Sequence, residues 1–323
     1  MKIILPALAM LTLATPALAF DCAKATTAVE KAICADPQLK QLDARLSEAY
    51  AAVKASSMPA EQRMLARSQK RWIAEREFCS GDDSGMNACI AQKTKDRLSL
   101  LLGAPESGPG AAAKMVPVFR VQDGSTKQWD IDMSLMRFAD PRTAGETLFN
   151  RLVDGILSQA KLGPHGEDSH GMVFAMEDTM SLTYASPKLV SARHDFYINE
   201  GGAHGNYGTN NINIDMTSGK QIRIGDIVDA ARATKLAQQC AAEIEAERKK
   251  RVPAAEDVPY DKKTRDATIA ETVRNLNSWS IGADTITVSF DPYAVGAYAE
   301  GAYRCSFKTA DVKALARPGA PLP

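Results

Sequence analysis

The chain has 323 residues, and its 39 Lys and Arg are matched by 39 Asp and Glu. That balance leaves no surplus of cations to follow a phosphate backbone, so a nucleic-acid partner is not expected. Six cysteines suit an oxidising compartment, where three disulfides are the economical reading.

The first residues point to that compartment. MKIILPALAMLTLATPALA, residues 1–19, joins one basic residue, Lys2, to an apolar run and a small-residue cleavage site, Ala17-Leu18-Ala19. This reads as a secretory signal. Losing Lys2 leaves 38 basic against 39 acidic residues in a mature chain starting at Phe20. Cys22 lies beyond the residue that follows cleavage, and no other apolar run reaches the roughly 18 residues of a membrane span. The expectation is a soluble periplasmic protein with no membrane anchor.

GAPESGPGAAAK, residues 103–114, has the Gly, Pro and Ala of a linker and no large apolar residue. The expected plan is therefore a signal at 1–19, a small unit at 20–103, a linker at 104–114 and a larger unit at 115–323. Cys22, Cys34, Cys79 and Cys89 fall in the small unit, and Cys240 and Cys305 in the larger one.

The small unit reads as helical. Thr27 with Glu30 makes a capping box for a short helix through Cys34, and Asp36-Pro37 supplies the cap and first-turn proline of the next. Leu39, Leu42, Leu46, Tyr50 and Val53 then recur at helical steps. Pro59 restarts the chain. Leu65, Trp72 and Cys79 are spaced by seven, which predicts a helix with all three on one side. GDDSG breaks it, and Cys89, Ile90, Arg97, Leu98 and Leu101 mark another helix. If the middle helices form a hairpin, Cys34 meets Cys79 and leaves Cys22 for Cys89; a Cys79–Cys89 bridge across the short loop is the competitor. With no histidine and no Cys-x-x-Cys in this unit, the cysteines read as structural rather than metal-binding.

DCAKATTAVEKAICADPQLKQLDARLSEAYAAV, SQKRWIAEREFC and CIAQKTKDRLSLL together resemble the N-terminal domain of the LprI-type lysozyme inhibitors. The resemblance covers almost all of residues 22–102. Within it Trp72 is expected in the core, and Glu75 and Arg76 as solvated or capping charges.

The larger unit mixes strands and helices. Trp129, Ile131, Met133 and Leu135 alternate as a half-buried strand, and Thr143 with Glu146 caps a helix through Phe149, Leu152, Ile156 and Ala160. Val190, Ala192, His194, Phe196 and Ile198 alternate again. Ile212, Ile214 and Met216 lead through a Thr217-to-Lys220 turn to Ile222 and Ile224, a hairpin signature. Helices are expected near 226–250 and 262–276. DTITVSF and YRCSF then alternate, with Tyr303, Cys305 and Phe307 on one face, so a Cys240–Cys305 bridge staples helix to last strand. The fold class is an all-α, disulfide-stapled N-terminal domain followed by an α+β domain with a mainly antiparallel sheet.

LVSARHDFYINEGGAHGNYGTNNINIDMTSGKQIRIGDIV and ITVSFDPYAVGAYAEGAYRCSF are similar to the C-terminal domain of RsiV-type anti-sigma factors and to the extracellular module of PdaC-type peptidoglycan deacetylases. The first resemblance implies lysozyme binding, there as a membrane-anchored sensor. The second implies a peptidoglycan or cell-wall enzyme accessory module, the alternative function.

His204 is the residue that invites a catalytic reading. A hydrolase needs a partner for it, yet there is no Gly-x-Ser-x-Gly and no His-Glu-x-x-His. His165, Glu167, Asp168 and His170 are capable ligands, but their Gly-, Ser- and Asp-rich stretch reads as a solvated loop. Neither a metal, a cofactor nor a catalytic residue is expected. Gly201 and Gly202 are expected to take conformations closed to other residues, with His204 holding the turn. The same turn presents His204, Asn206 and Tyr207 as a binding edge, and Tyr293 and Tyr298 form a second loop of interface-type aromatics. Two domains that each resemble a lysozyme-linked family give the expected function: a periplasmic lysozyme-binding inhibitor without catalysis.

Overall fold

The computed structural model describes residues 21–82, 85–164, 171–252 and 261–323. The expected signal, part of the GDDSG loop and the His165-to-His170 stretch lie outside the described residues. The chain divides into two compact units. One holds the described residues through Ser57 with Ile73–Leu98, the other Met58–Trp72 with Ser99–Pro323.

Helices α1 (Ala28–Ala35), α2 (Pro37–Ser56), α3 (Pro59–Arg76) and α4 (Met86–Leu102) follow in order. The Thr27 hydroxyl accepts from the Glu30 N–H at 3.1 Å while the Glu30 carboxylate accepts from the Thr27 N–H at 3.0 Å, a reciprocal cap. The N–H groups of Thr27 and Thr26, both donating to it, hold the Glu30 carboxyl below its ordinary value. Asp36 caps α2 through the Gln38 N–H at 2.8 Å, with Pro37 in the first turn. Val29, Ile33, Leu39, Cys79 and Ile90 form the small core of this unit.

Two expectations are corrected here. The bridges are Cys22–Cys34 and Cys79–Cys89, not Cys34–Cys79 and Cys22–Cys89. The reason is that α3 stops at Arg76 and Cys79 lies in a short helical turn, Glu77–Gly81, whose reversal brings it to Cys89. Arg76 is not solvated. It is 6% exposed and donates to Asp43 at 3.0 Å, so a helical stripe of apolar residues is closed by a buried ion pair. Glu75 is exposed and Trp72 half-buried.

Replacing Cys79 and Cys89 together by alanine is expected to cost about 2–3 kcal/mol, the figure for releasing a loop of this length in the unfolded chain. Urea unfolding of the variant beside the oxidised parent measures it, and coincident midpoints would show that the bridge adds no stability.

In the second unit β1 (Met115–Gln122) and β2 (Asp130–Phe138) pair antiparallel. Helix α5 (Ala144–Leu157) crosses to β3 (Ala175–Ala185), which runs parallel to β2. Every other pairing among the described residues is antiparallel. The Thr143–Glu146 capping box opens α5. Its buried stripe is Phe149, Val153 and Leu157 rather than Leu152 and Ile156, which are half-buried. The difference arises because Asn150 also faces inward, bonding both the N–H and the carbonyl of Phe138 at 2.8 and 2.9 Å. Residues 103–114 run along β3, with the Glu106 N–H on the Leu182 carbonyl and the Gly110 N–H on that of Ala185.

Strand β4 (Leu189–Asn199) pairs with β3 along its length. On its other side it meets β5 (Asn206–Thr209) and then β6 (Ile212–Asp215), one returning strand broken at Asn210-Asn211. A short β7 (Lys220–Gln221), α6 (Ile224–Ile227), the long α7 (Ala230–Arg251) and α8 (Lys262–Arg274) follow, then β8 (Trp279–Ile281), β9 (Thr285–Phe290), β10 (Tyr303–Lys308) and α9 (Thr309–Leu315). Strands β8 to β10 form a separate three-stranded sheet. Cys240 on α7 is bridged to Cys305 on β10. Around that bridge Ile244, Ile269, Trp279, Ile286, Val288 and Phe290 are buried together.

Buried polar side chains fix the small sheet on the large one. The Thr183 hydroxyl donates to the Ile281 carbonyl at 2.8 Å, and the Ile281 N–H to Ser191 Oγ at 3.0 Å. Asn213 donates to the carbonyls of Leu276 and Trp279, and the Ser280 hydroxyl to Asn211. Hydrogen bonds of this kind are directional where apolar contacts are not. The register they impose brings the loop after β9 to the turn before β5. His194 is a core residue, 5% exposed, with Nε2 2.6 Å from Asp178 Oδ1.

Candidate functional site

The turn from β4 to β5 is built by glycine. Gly201 and Gly202 take φ of +88° and +97°, values that L side chains rarely adopt. The Gly201 N–H returns to the Asn199 side chain at 2.9 Å. At Gly205 the constraint is space, because a Cβ there would sit 2.5 Å from the Tyr197 ring. Asn206 starts β5 opposite Ile198, and Tyr207 lies opposite Tyr197.

The second loop follows β9. Asp291 accepts from the Thr209 N–H at 2.9 Å and so ties the loop to β5. Burial lifts the Asp291 carboxyl above its ordinary value, with the Asp195 charge adding and the Thr209 N–H opposing. Tyr293 has φ of +70°, the one non-glycine residue with positive φ among those described. Such a conformation persists only where surrounding contacts over-determine it.

The two loops meet. His204 stacks on Tyr298 with centroids 3.5 Å apart and planes 12° from parallel. Its Nε2 is 3.2 Å from the Tyr293 hydroxyl and its Nδ1 3.0 Å from the Gly205 carbonyl. A neutral imidazole with the proton on Nδ1 satisfies both, donating to the carbonyl and accepting from the phenol. The Tyr298 hydroxyl donates to the same carbonyl at 2.6 Å. Burial, and then the neighbouring tyrosines, push the Tyr298 hydroxyl above its ordinary value. Tyr207 packs edge-on to Tyr298 at 6.0 Å. Tyr207 and Tyr293 remain 37% and 49% exposed, so the cluster presents a preformed aromatic surface.

What fixes Tyr298 is a network that the spacing of the sequence does not show. Glu300 accepts from the Ala297 N–H at 2.9 Å, from Arg248 on α7 at 3.0 Å and from the Tyr303 hydroxyl at 2.8 Å. Arg251 lies 4.3 Å over the Tyr303 ring and donates to the carbonyls of Glu300 and Ala302. Burial pushes the Glu300 carboxyl up, but these donors and the Arg248 charge outweigh it and hold it below its usual value. Burial and the Glu300 carboxylate push the Tyr303 hydroxyl up to about 12. Arg248 and Glu300 are 52 residues apart, and no local pattern links them.

The hydrogen bonds of His204 go to the Gly205 carbonyl and the Tyr293 phenol. Among the described residues no group of three or more His, Cys, Asp or Glu is placed to hold a metal ion, and no helix is long and apolar enough to cross a membrane.

Residues 22–101 match the family described as Lysozyme inhibitor LprI. The chain is 31% identical over 132 residues to proteins named Lipoprotein LprI from Mycobacterium bovis and Mycobacterium tuberculosis. The match takes in 40% of this chain and 61% of the length of those curated relatives. Beyond the LprI domain, residues 226–309 match a family described as a protein of unknown function, DUF3298. Solved structures of DUF3298 proteins are similar at low identity. One from Bacteroides fragilis is 12% identical with a TM-score of 0.43, covering 64% of this chain and 94% of that one. Another from Pseudomonas aeruginosa is 15% identical with a TM-score of 0.42, covering 65% and 95%.

Proposed function

We propose that this chain is an exported, periplasmic lysozyme-binding protein that inhibits lysozyme and has no catalytic activity of its own. The observation that carries the reading is the LprI domain at residues 22–101. The second unit adds a contact surface: Gly201 and Gly202 shape the turn, and His204, Asn206, Tyr207, Tyr293 and Tyr298 line it. Rigid aromatics of this kind lose little freedom on binding, which favours affinity. A lysozyme cleft presents two carboxylates, and the exposed Tyr207 hydroxyl is suited to donate to one of them.

The test is calorimetric titration of the full chain with a panel of lysozymes, read beside a muramidase assay. Saturable binding with loss of muramidase activity is expected, and Tyr298→Ala is expected to weaken it by at least about tenfold. Absence of binding to every lysozyme at high micromolar concentration overturns the inhibitor reading. Full inhibition retained in Tyr298→Ala would instead remove the aromatic surface from the interface and leave the LprI domain as the contact.

A further inference from the structure

One aromatic side chain of the helical unit faces solvent where the backbone is held on both sides. Phe78 is 79% exposed, the highest value for any large apolar residue among those described. It stands in the turn Glu77–Gly81 that follows α3. Residues three apart share a face in a turn of this kind, and here the shared face looks inward. Arg76 is bonded to Asp43, Cys79 is bridged to Cys89, and both Arg76 and Cys79 are buried. Phe78 lies between them and is turned out.

A lone apolar residue on a surface is ordinary, but the setting of this one is not. A disulfide one residue ahead and a buried ion pair two residues behind fix its backbone, so little freedom is left to lose on binding. Ala74, one turn earlier on the same side of the helix and also exposed, carries only a methyl group and leaves the ring uncovered.

The charge beside the ring is one-sided. Between Ile73 and Asp82 the carboxylates are Glu75, Glu77 and Asp82, and the one cation, Arg76, is turned inward to Asp43. Glu75 and Asp82 are exposed, and Glu75 has no ion pair among the described residues. Glu77 is half-buried and accepts from the Thr27 hydroxyl at 3.2 Å. Helix α1, which this bond joins to the turn, is balanced, with Glu30 against Lys31. The solvent-facing charge of the Phe78 segment is therefore negative. A rigid aromatic with such a rim fits a basic protein: the ring fills a pocket, and the carboxylates steer the encounter. The same carboxylates repel a nucleic acid.

We infer that Phe78 is the anchor through which the helical unit contacts lysozyme, with Glu75, Glu77 and Asp82 facing cations of a basic lysozyme. The inference rests on the lysozyme reading and adds to it a contact made by residues other than His204 and the tyrosines. Calorimetric titration of the full chain with a basic animal lysozyme tests it. Phe78→Ala is expected to weaken binding by about tenfold or more, while its urea midpoint stays at that of the parent, because the side chain is already in solvent. Glu75→Lys is expected to slow association in stopped-flow mixing, by a factor that shrinks as salt is raised. If the parent binds lysozyme and Phe78→Ala binds within about twofold of it, Phe78 is not the anchor and the lysozyme reading stands without it. Failure of the parent to bind any lysozyme overturns both. Sedimentation of the chain alone tests for the other occupant, a second copy. A monomer is expected, and a dimer that Phe78→Ala dissociates would assign the ring to self-association and overturn the inference.

Discussion

Asp43→Ala is expected to lower the stability of the helical unit by about 3–5 kcal/mol. Asp43 and Arg76 are 8% and 6% exposed and meet at 3.0 Å. Removing the carboxylate takes the Asp43 contact from a buried guanidinium, and the desolvation cost of that charge is then less fully offset. A domain holds only about 5–15 kcal/mol in all, so such a loss is a large share of it. Denaturant unfolding followed by circular dichroism measures the effect. The companion variant, Asp43→Leu with Arg76→Met, should recover most of it, because an apolar pair of similar volume needs no counter-charge. If Asp43→Ala unfolds within about 1 kcal/mol of the parent, the pair is not the buried ionic contact described here.

Glu300→Ala is expected to have an effect of similar size, about 3–5 kcal/mol, with a second consequence at the aromatic cluster. Glu300 is the common acceptor for Arg248, Tyr303 and the Ala297 N–H, and the turn it caps, Tyr298–Glu300, carries the ring stacked on His204. Without it Arg248 is left buried and Tyr298 loses its anchor. The effect should be pH-dependent in a defined sense. The Glu300 carboxyl is held below its ordinary 4.5 in the folded chain, so the ionised form is favoured by folding. Its contribution is present above 4.5 and is lost as pH falls through the lowered value. The stability gap between the parent and Glu300→Gln should therefore be flat near neutrality and shrink in acid. At the alkaline end Tyr303 is protonated up to about 12 in the fold against an ordinary 10.0, so its contribution is lost as pH rises through that interval. A gap that widens as the solution is acidified would contradict the assignment of Glu300.

Local structure was legible because it is written in adjacent residues. Both capping boxes, Thr27 with Glu30 and Thr143 with Glu146, stand where a three-residue spacing puts them, and alternation placed Tyr303, Cys305 and Phe307 on the buried face of β10. The reading failed where one residue type serves two environments. A charged side chain near the end of a helix is ordinarily solvated, and only the fold shows that Arg76 points at Asp43. A seven-residue period continued to Cys79 although the helix had ended. At the candidate site each loop stood out separately through its glycines and tyrosines. That His204 and Tyr298, 94 positions apart in the chain, would stack depended on the buried Thr183, Ser191 and Asn213 bonds between sheets, which no periodicity records.

The three bridges join Cys22 to Cys34, Cys79 to Cys89 and Cys240 to Cys305, so the cysteines are joined in consecutive pairs along the chain. An oxidant that couples every thiol to the first available newcomer, on a polypeptide presented from its N-terminus, would reach the native set without error. Of the 15 ways to pair six thiols, the correct one is then also the first one made. Assembly under these conditions is independent of a disulfide isomerase, and reshuffling becomes necessary only when oxidation is withheld until all six thiols are present together.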